Sequence, residues 1–328
     1  MRLKKSNKYS EVKAVLLVAS TYSLLLYYIV CGKEQFEKTF FFVSDAISKD
    51  VQKKMKFVQY LSFQQYSSYK HWLQIIIRFI LYRFSYIKWP FLKSVPLYGG
   101  DHLWFSPGLV KKRKITVFED GLANYDYREL ERTLSFNPKW IYKFLYGPLM
   151  CEGEYGRAKQ VQKLYLTGLD VIPEVVNEKT EIINIKKLWN NCDQSYIFDL
   201  FSLSIEEVEM IKTKKVLLLS QPYNIDIGDR ELVNIYNNIL TNYSPNDVII
   251  KTHPRDTLDF SKYFPGIVVF TKKIPAELFA FIGVNFTDIY TINSTAIFSF
   301  SKDCNLHYLG YRCHPGLLEK YGDDIVKI

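Results

Sequence analysis

The sequence predicts an α/β protein of two doubly wound, mainly parallel halves, and three observations carry that expectation. Short continuous apolar runs such as Thr39–Val43 and Val248–Lys251 suit strands buried on both faces of a parallel sheet. Helical stretches separate these runs, as parallel strands require of their crossovers. The alternation restarts near Lys215, and 328 residues with 48% hydrophobic content supply a core for each half.

In chain order, Lys13–Val18 reads as a strand, Ser20-Thr21-Tyr22-Ser23 as a loop and helix cap, and Leu24–Val30 as a helix stopped by Gly32. Basic Met1–Lys13 followed by the 18-residue apolar run Ala14–Cys31 has the outline of a signal anchor. The Ser/Thr cluster interrupts that run, which is shorter than the ~20 apolar residues of a membrane span. Thr39–Val43 is the second strand, and Lys53-Lys54-Met55-Lys56 is a solvated charge cluster. Val95–Tyr98 and Lys114–Phe118 follow as strands with Gly99-Gly100 and Ser106-Pro107-Gly108 turns between them, and Lys163–Leu166 closes the first half. Residues 168–190 read as the crossover, with the domains at 1–180 and 181–328.

In the second half, Leu203–Ile211 is an acidic helix opened by a capping box at Ser204 and Glu207. Strands are expected at Lys215–Leu219, Val248–Lys251, Ile267–Phe270 and Asn285–Tyr290, and helices at Glu231–Leu240, Ala276–Ile282 and Ala296–Ser301.

The formal net charge of +9 and 16% aromatic content favour an anionic partner: nucleic acid, a membrane surface or a phosphorylated small molecule. Lys and Arg read as spread along the chain, and no nucleic-acid-binding motif is present, so no nucleic acid partner is expected. Between Tyr69 and Lys93, Trp72, Ile75, Ile76, Phe79, Ile80, Phe84, Trp89 and Phe91 interleave with Lys70, Arg78, Arg83, Lys88 and Lys93. That segment reads equally as a core helix or as a surface that docks on anionic lipid. Five scattered cysteines without a C-x-x-C pair exclude a disulfide framework or zinc site and suit a reducing cytoplasm. Neither a Walker loop, nor G-x-G-x-x-G, nor an Asp-x-Asp triplet occurs.

Chemistry concentrates at strand ends. His253 follows Val248–Lys251 in Lys251-Thr252-His253-Pro254, where proline ends the strand and histidine can titrate near neutral pH. Glu119-Asp120-Gly121 follows Lys114–Phe118. Each alone is ordinary turn and cap chemistry. Asn293-Ser294-Thr295, between strand and helix, offers hydroxyls and backbone N–H groups to an anion, and Pro275-Ala276-Glu277 opens another helix.

This ordered set resembles the motifs of bacterial sialyltransferases, and with Ser220-Gln221-Pro222 it is most similar to glycosyltransferase family 52, the lipooligosaccharide and capsule group. The resemblance implies a GT-B architecture of two Rossmann-like domains facing a cleft, with nucleotide on the second and acceptor on the first. It implies inverting, metal-independent transfer of N-acetylneuraminic acid from CMP-Neu5Ac to a galactose-terminated glycan, without a cofactor. By this likeness Lys251, His253, Pro254 and Ala276 border the nucleotide, Glu277 holds the ribose, and Ser294 and Thr295 bind phosphate. Asp120 is the expected base, raised in pKa by desolvation and Glu119, and protonated His253 the expected acid. Asp226 and Asp229, beyond the Gln221 loop, remain alternative bases. The resemblance also implies a homodimer, and the expected location is the cytoplasm, at the inner face of the bacterial cytoplasmic membrane. Transfer of a hexose or another nonulosonate, or non-catalytic peripheral membrane binding, are the competing readings.

Overall fold

The computed structural model describes residues 9–62, 69–70, 73–74, 76–77, 80, 84–125, 149, 153–300 and 303–323. The chain divides into two compact units, Met1–Ser202 and Leu203–Ile328. Each is built on its own parallel sheet.

The first unit's described strands are β1 (Ala14–Val18), β2 (Thr39–Val43), β3 (Phe57–Tyr60), β4 (Leu97–Gly99), β5 (Ile115–Phe118), β6 (Val161–Leu166) and β7 (Thr180–Ile182). They lie in the order β3-β2-β1-β4-β5-β6-β7, every pairing parallel. Alternation along β2 sends Phe42 to one face, edge-on to Trp89 at 4.8 Å, and Phe41 to the other, against Phe36 at 4.7 Å. Both faces are covered, so β1 and β2 read as unbroken apolar runs.

Helix Thr21–Glu37 covers the Phe41 face, with Ser20 as its cap: the Ser20 hydroxyl accepts from Ser23 N–H at 3.1 Å. Gly32 kinks this helix instead of ending it, because its φ of 75° breaks the helical path for one residue before the chain resumes. No described helix is long and apolar enough to cross a membrane.

Two further corrections concern boundaries. β3 and β7 were not expected; β3 is short and half-exposed, and β7 is only three residues, too brief for a periodic signal. The boundary falls at Ser202/Leu203 instead of near residue 180, since β7 completes the first sheet and Tyr196 of helix Gln194–Leu200 stacks on Tyr28 at 5.2 Å.

The second unit's described strands are β8 (Val216–Leu219), β9 (Val248–Lys251), β10 (Val268–Phe270), β11 (Asp288–Thr291) and β12 (Asn305–Tyr308), in the parallel order β10-β9-β8-β11-β12. Helix Asp229–Leu240 buries Leu232, Tyr236 and Leu240, one every four residues, in a core shared with Val216, Val248 and Phe260. The expected capping box forms: Ser204 Oγ accepts from Glu207 N–H at 3.2 Å and Glu207 Oε2 from Ser204 N–H at 2.9 Å. Two expected helices are shorter than read. Ala276–Ile282 reduces to Leu278–Phe281, and Ala296–Ser301 to the 3₁₀ turn Thr295–Ser299, with Ser301 outside the described residues.

Candidate active site

In the first unit the strand order reverses between β1, which leads to β2 and β3, and β4 on its other side. Loops diverge from such a point and leave a crevice at the carboxyl ends of the strands. Ser20 follows β1 there, His102 follows β4 and Asp120 follows β5. His102 Nε2 lies 3.1 Å from Asp120 Oδ2, and His102 Nδ1 lies 3.8 Å from Asp101 Oδ1. Asp101 is buried and accepts from the backbone N–H groups of Tyr155 at 3.0 Å and Gly156 at 2.8 Å, so the chain itself fixes its carboxylate. The Tyr155 ring stacks on the imidazole at 4.6 Å.

Burial disfavours a charged imidazole here, but the Asp101 and Asp120 carboxylates outweigh it and raise the His102 pKa to about 10. Burial also pushes the Asp120 carboxyl up, yet hydrogen bonding and charge from His102, helped by the Ser20 hydroxyl, hold it below the usual range. The two therefore form an ion pair at neutral pH. This overturns the expectation that Asp120 is raised with help from Glu119. Glu119 is fully buried and accepts from Tyr22 Oη at 2.8 Å, Tyr125 Oη at 2.5 Å, and the N–H and hydroxyl of Thr167, both at 2.7 Å. Satisfied by neutral donors on both oxygens, it ties β5, β6 and the first helix together.

The second unit reverses between β8 and β11, and a cavity of about 630 Å³ opens at the ends of β8, β9 and β11. Gln221 and Tyr223 line it from the first loop, His253 and Arg255 from the second, and Asn293, Ser294 and Thr295 from the third, with Asp226, Tyr311 and Tyr321 completing the wall. His253 N–H donates to Asp256 Oδ2 at 2.6 Å and Ser220 Oγ at 3.1 Å, which pins the loop. Arg255 N–H donates to His253 Nδ1 at 3.1 Å. Nδ1 is thus an acceptor, and the proton of the neutral ring sits on Nε2 as a donor for a ligand in the cavity.

Burial, and then the charges of Arg255 and Lys251, lower the His253 pKa to about 4. The expected protonated His253 is corrected to a neutral imidazole at pH 7. Lys251 is buried under the loop, its Nζ donating to Thr252 O at 2.7 Å, and desolvation lowers it to about 8. Among the described residues no group of three or more His, Cys, Asp or Glu is placed to hold a metal ion.

The model of glycosyltransferase family 52 matches residues 26–311. The chain belongs to that family. An uncharacterized protein of Haemophilus influenzae is 30% identical over 237 residues, covering 71% of this chain and 74% of that one. Among solved structures, the GT-B domain of a Photobacterium damselae sialyltransferase superposes with a TM-score of 0.54 at 13% identity, covering 90% of both chains. A Photobacterium sp. JT-ISH-224 2,6-sialyltransferase, solved with donor product CMP and acceptor substrate lactose, gives 0.56 at 10% identity over 90% of this chain and 71% of that chain. These likenesses establish the GT-B fold expected from sequence.

In this family 52 glycosyltransferase the cavity gathers His253, Ser294, Thr295, Gln221 and Asp226. Lys251, Pro254, Ala276 and Glu277 are not in its wall, and Glu277 is buried. Asp226 is held by Lys320 and by Tyr321 Oη at 2.7 Å; these partners outweigh burial and keep its carboxyl below the usual range. Asp229 accepts from Asn224 Nδ2 at 2.9 Å at the start of its helix, outside the cavity wall. With only a 3₁₀ turn after Ser294, and Ser294 N–H donating to Thr291 Oγ1 at 2.9 Å, the expected helix N-terminus is not a regular helix, and Ser294, Thr295 and Arg255 line the cavity. Sequence reading missed His102, Asp101 and Arg255. Gly99-Gly100-Asp101-His102 has the same grammar that exposed His253, a titratable group just past a strand, and Arg255 directly follows His253-Pro254.

Proposed function

We propose that this glycosyltransferase moves N-acetylneuraminic acid from CMP-Neu5Ac to a galactose-terminated bacterial surface glycan, with inversion and without a metal. The observation that carries the reading is the ion-paired His102–Asp120 couple at the first unit's switch point, in a chain whose second unit opens a hydroxyl- and arginine-lined cavity of about 630 Å³ at its own. The CMP and lactose bound by the Photobacterium 2,6-sialyltransferase support the choice of donor and acceptor class.

In this reading Asp120 accepts the acceptor hydroxyl proton. Its low basicity suits an oxocarbenium-like transition state, because a hydroxyl already bonding to an electrophilic anomeric carbon becomes strongly acidic and a weak, fixed carboxylate suffices. His102 orients that carboxylate. On the leaving side, His253 Nε2–H hydrogen-bonds the phosphate of departing CMP, while Arg255, Ser294 and Thr295 hold its charge. Lys251 supports the loop from beneath, and the charges of Asp256 and Glu277 favour its ammonium. A position at the inner face of the cytoplasmic membrane, where nucleotide sugars are available, completes the proposal.

Calorimetric titration with CMP, UDP and GDP in the presence of a chelator tests it. CMP binding that exceeds UDP binding and falls in Arg255→Ala supports the sialyl reading. Preference for UDP would reassign the protein to hexosyl transfer.

A further inference from the structure

We propose that the described residues of the stretch 69–114 present a docking surface for an anionic phospholipid bilayer. This stretch holds nine basic residues and a single acid, Asp101, so it alone contributes +8 of the chain's formal +9. Asp101 is buried and turned to backbone N–H groups, so it does not offset these cations at the surface. The charge that looked spread along the chain is therefore concentrated in one segment.

An apolar stripe accompanies it. Ile76, Ile80, Phe84 and Ile87 are 43%, 51%, 53% and 73% exposed, spaced by four, four and three residues. Phe84 N–H donates to Ile80 O at 3.2 Å and Lys88 N–H to Phe84 O at 3.1 Å, bonds of helical spacing that lead into the short helix Ser85–Lys88, which carries Ile87. The other side faces the protein: Ser85 and Trp89 are buried, and Ser85 Oγ donates to Gly108 O at 3.1 Å. Tyr86 Oη donates to Val110 O at 3.1 Å, and Lys111 Nζ sits 4.0 Å from the Tyr86 ring centroid, which brings the basic run 111–114 beside this helix. Lys88, Lys93 and Lys112 are exposed and in no ion pair among the described residues.

Aliphatic side chains flanked by uncompensated lysines match the boundary between acyl chains and anionic headgroups. Nucleic acid would reward the cations but gain little from exposed isoleucines. The segment also divides the two readings drawn from sequence: Trp89, Phe91 and Leu92 belong to the core, whereas the four stripe residues face solvent. Trp72, Ile75, Arg78, Phe79 and Arg83 lie outside the described residues.

Flotation of the full chain with phosphatidylcholine vesicles, with and without phosphatidylglycerol, tests the surface. The protein is expected to float with the anionic vesicles, to stay behind with neutral ones, and to be released by salt. Neutralising Lys88, Lys93 and Lys112 to Gln is expected to lower partitioning about five-fold per lysine. Ile80→Glu with Ile87→Glu is expected to abolish flotation while thermal unfolding stays that of the parent, since both side chains already face water. Absent flotation, equal flotation with neutral vesicles, or unchanged flotation of either variant overturns the proposal. Lysine-dependent oligonucleotide binding in place of flotation overturns it in favour of a nucleic-acid surface.

Discussion

His102 Nε2 and Asp120 Oδ2 stand 3.1 Å apart at the ends of adjacent strands, and each sets the other's charge. The imidazole keeps the carboxylate ionised, and the carboxylate keeps the imidazole protonated. A kinetic consequence follows for each partner. Asp120→Asn is expected to lower kcat by about 10²–10⁴, the usual contribution of a general base. His102→Gln should lower it less and move the acid limb of the pH–rate profile to higher pH, because Asp120 loses the charge that depresses its pKa. An unmoved acid limb would falsify the pairing as the source of Asp120's low pKa.

The same pair predicts a stability window. His102 is raised in the folded state from about 6.5 to about 10. The folded chain therefore holds more protons than the unfolded one across that interval, and this contribution, full below pH 6.5, is lost as pH rises toward 10. Asp120 is lowered, so the pair's contribution is also lost as pH falls through the carboxylate range. Urea unfolding of the parent and of His102→Gln should differ most between these limits and converge outside them. A difference that does not depend on pH would leave the charge out of the account.

His253 behaves oppositely. Lowered to about 4, it is neutral when the cavity is empty of anions. A bound phosphate favours the protonated ring, so binding of CMP should take up protons and strengthen from pH 7 toward pH 5. Since the nucleotide phosphate titrates near pH ~6 itself, the comparison that decides is proton uptake by the parent against His253→Asn in buffers of different ionisation enthalpy. Identical uptake in both would show that the ring stays neutral when the phosphate binds.

Glu119→Gln is expected to cost about 2–3 kcal/mol of stability, because a carboxamide nitrogen would face a donor where carboxylate oxygens now accept from Tyr22, Tyr125 and Thr167. Thermal unfolding measures the cost. Loss of activity with unchanged stability would instead make Glu119 part of the chemistry.

Gly99→Ala is expected to destabilise the first unit by about 3 kcal/mol or more. Gly99 has φ 116°, and a Cβ there would stand 1.9 Å from Leu17 O on β1. A soluble variant with parental unfolding would show that β4 can shift away from β1.

What the amino-acid sequence determined by itself was whatever is local. Nearly continuous apolar runs identified β1, β2, β5, β8 and β9 to within a residue at either end, since burial on both faces leaves few polar positions in the run, here Thr39, Thr116 and Lys251. The Ser204–Glu207 box marked a helix start, because its two hydrogen bonds span three residues. His253 and Asp120 were legible as titratable groups just past strands. Tertiary structure decided the rest. That Asp120 faces His102 and Glu119 faces Tyr22 follows from strand order β1-β4-β5-β6, which no local pattern encodes. The direction of the Asp120 pKa shift and the charge state of His253 were misread for the same reason: a pKa depends on burial and on neighbours brought from other strands and loops, and those neighbours exist only once the sheet has formed.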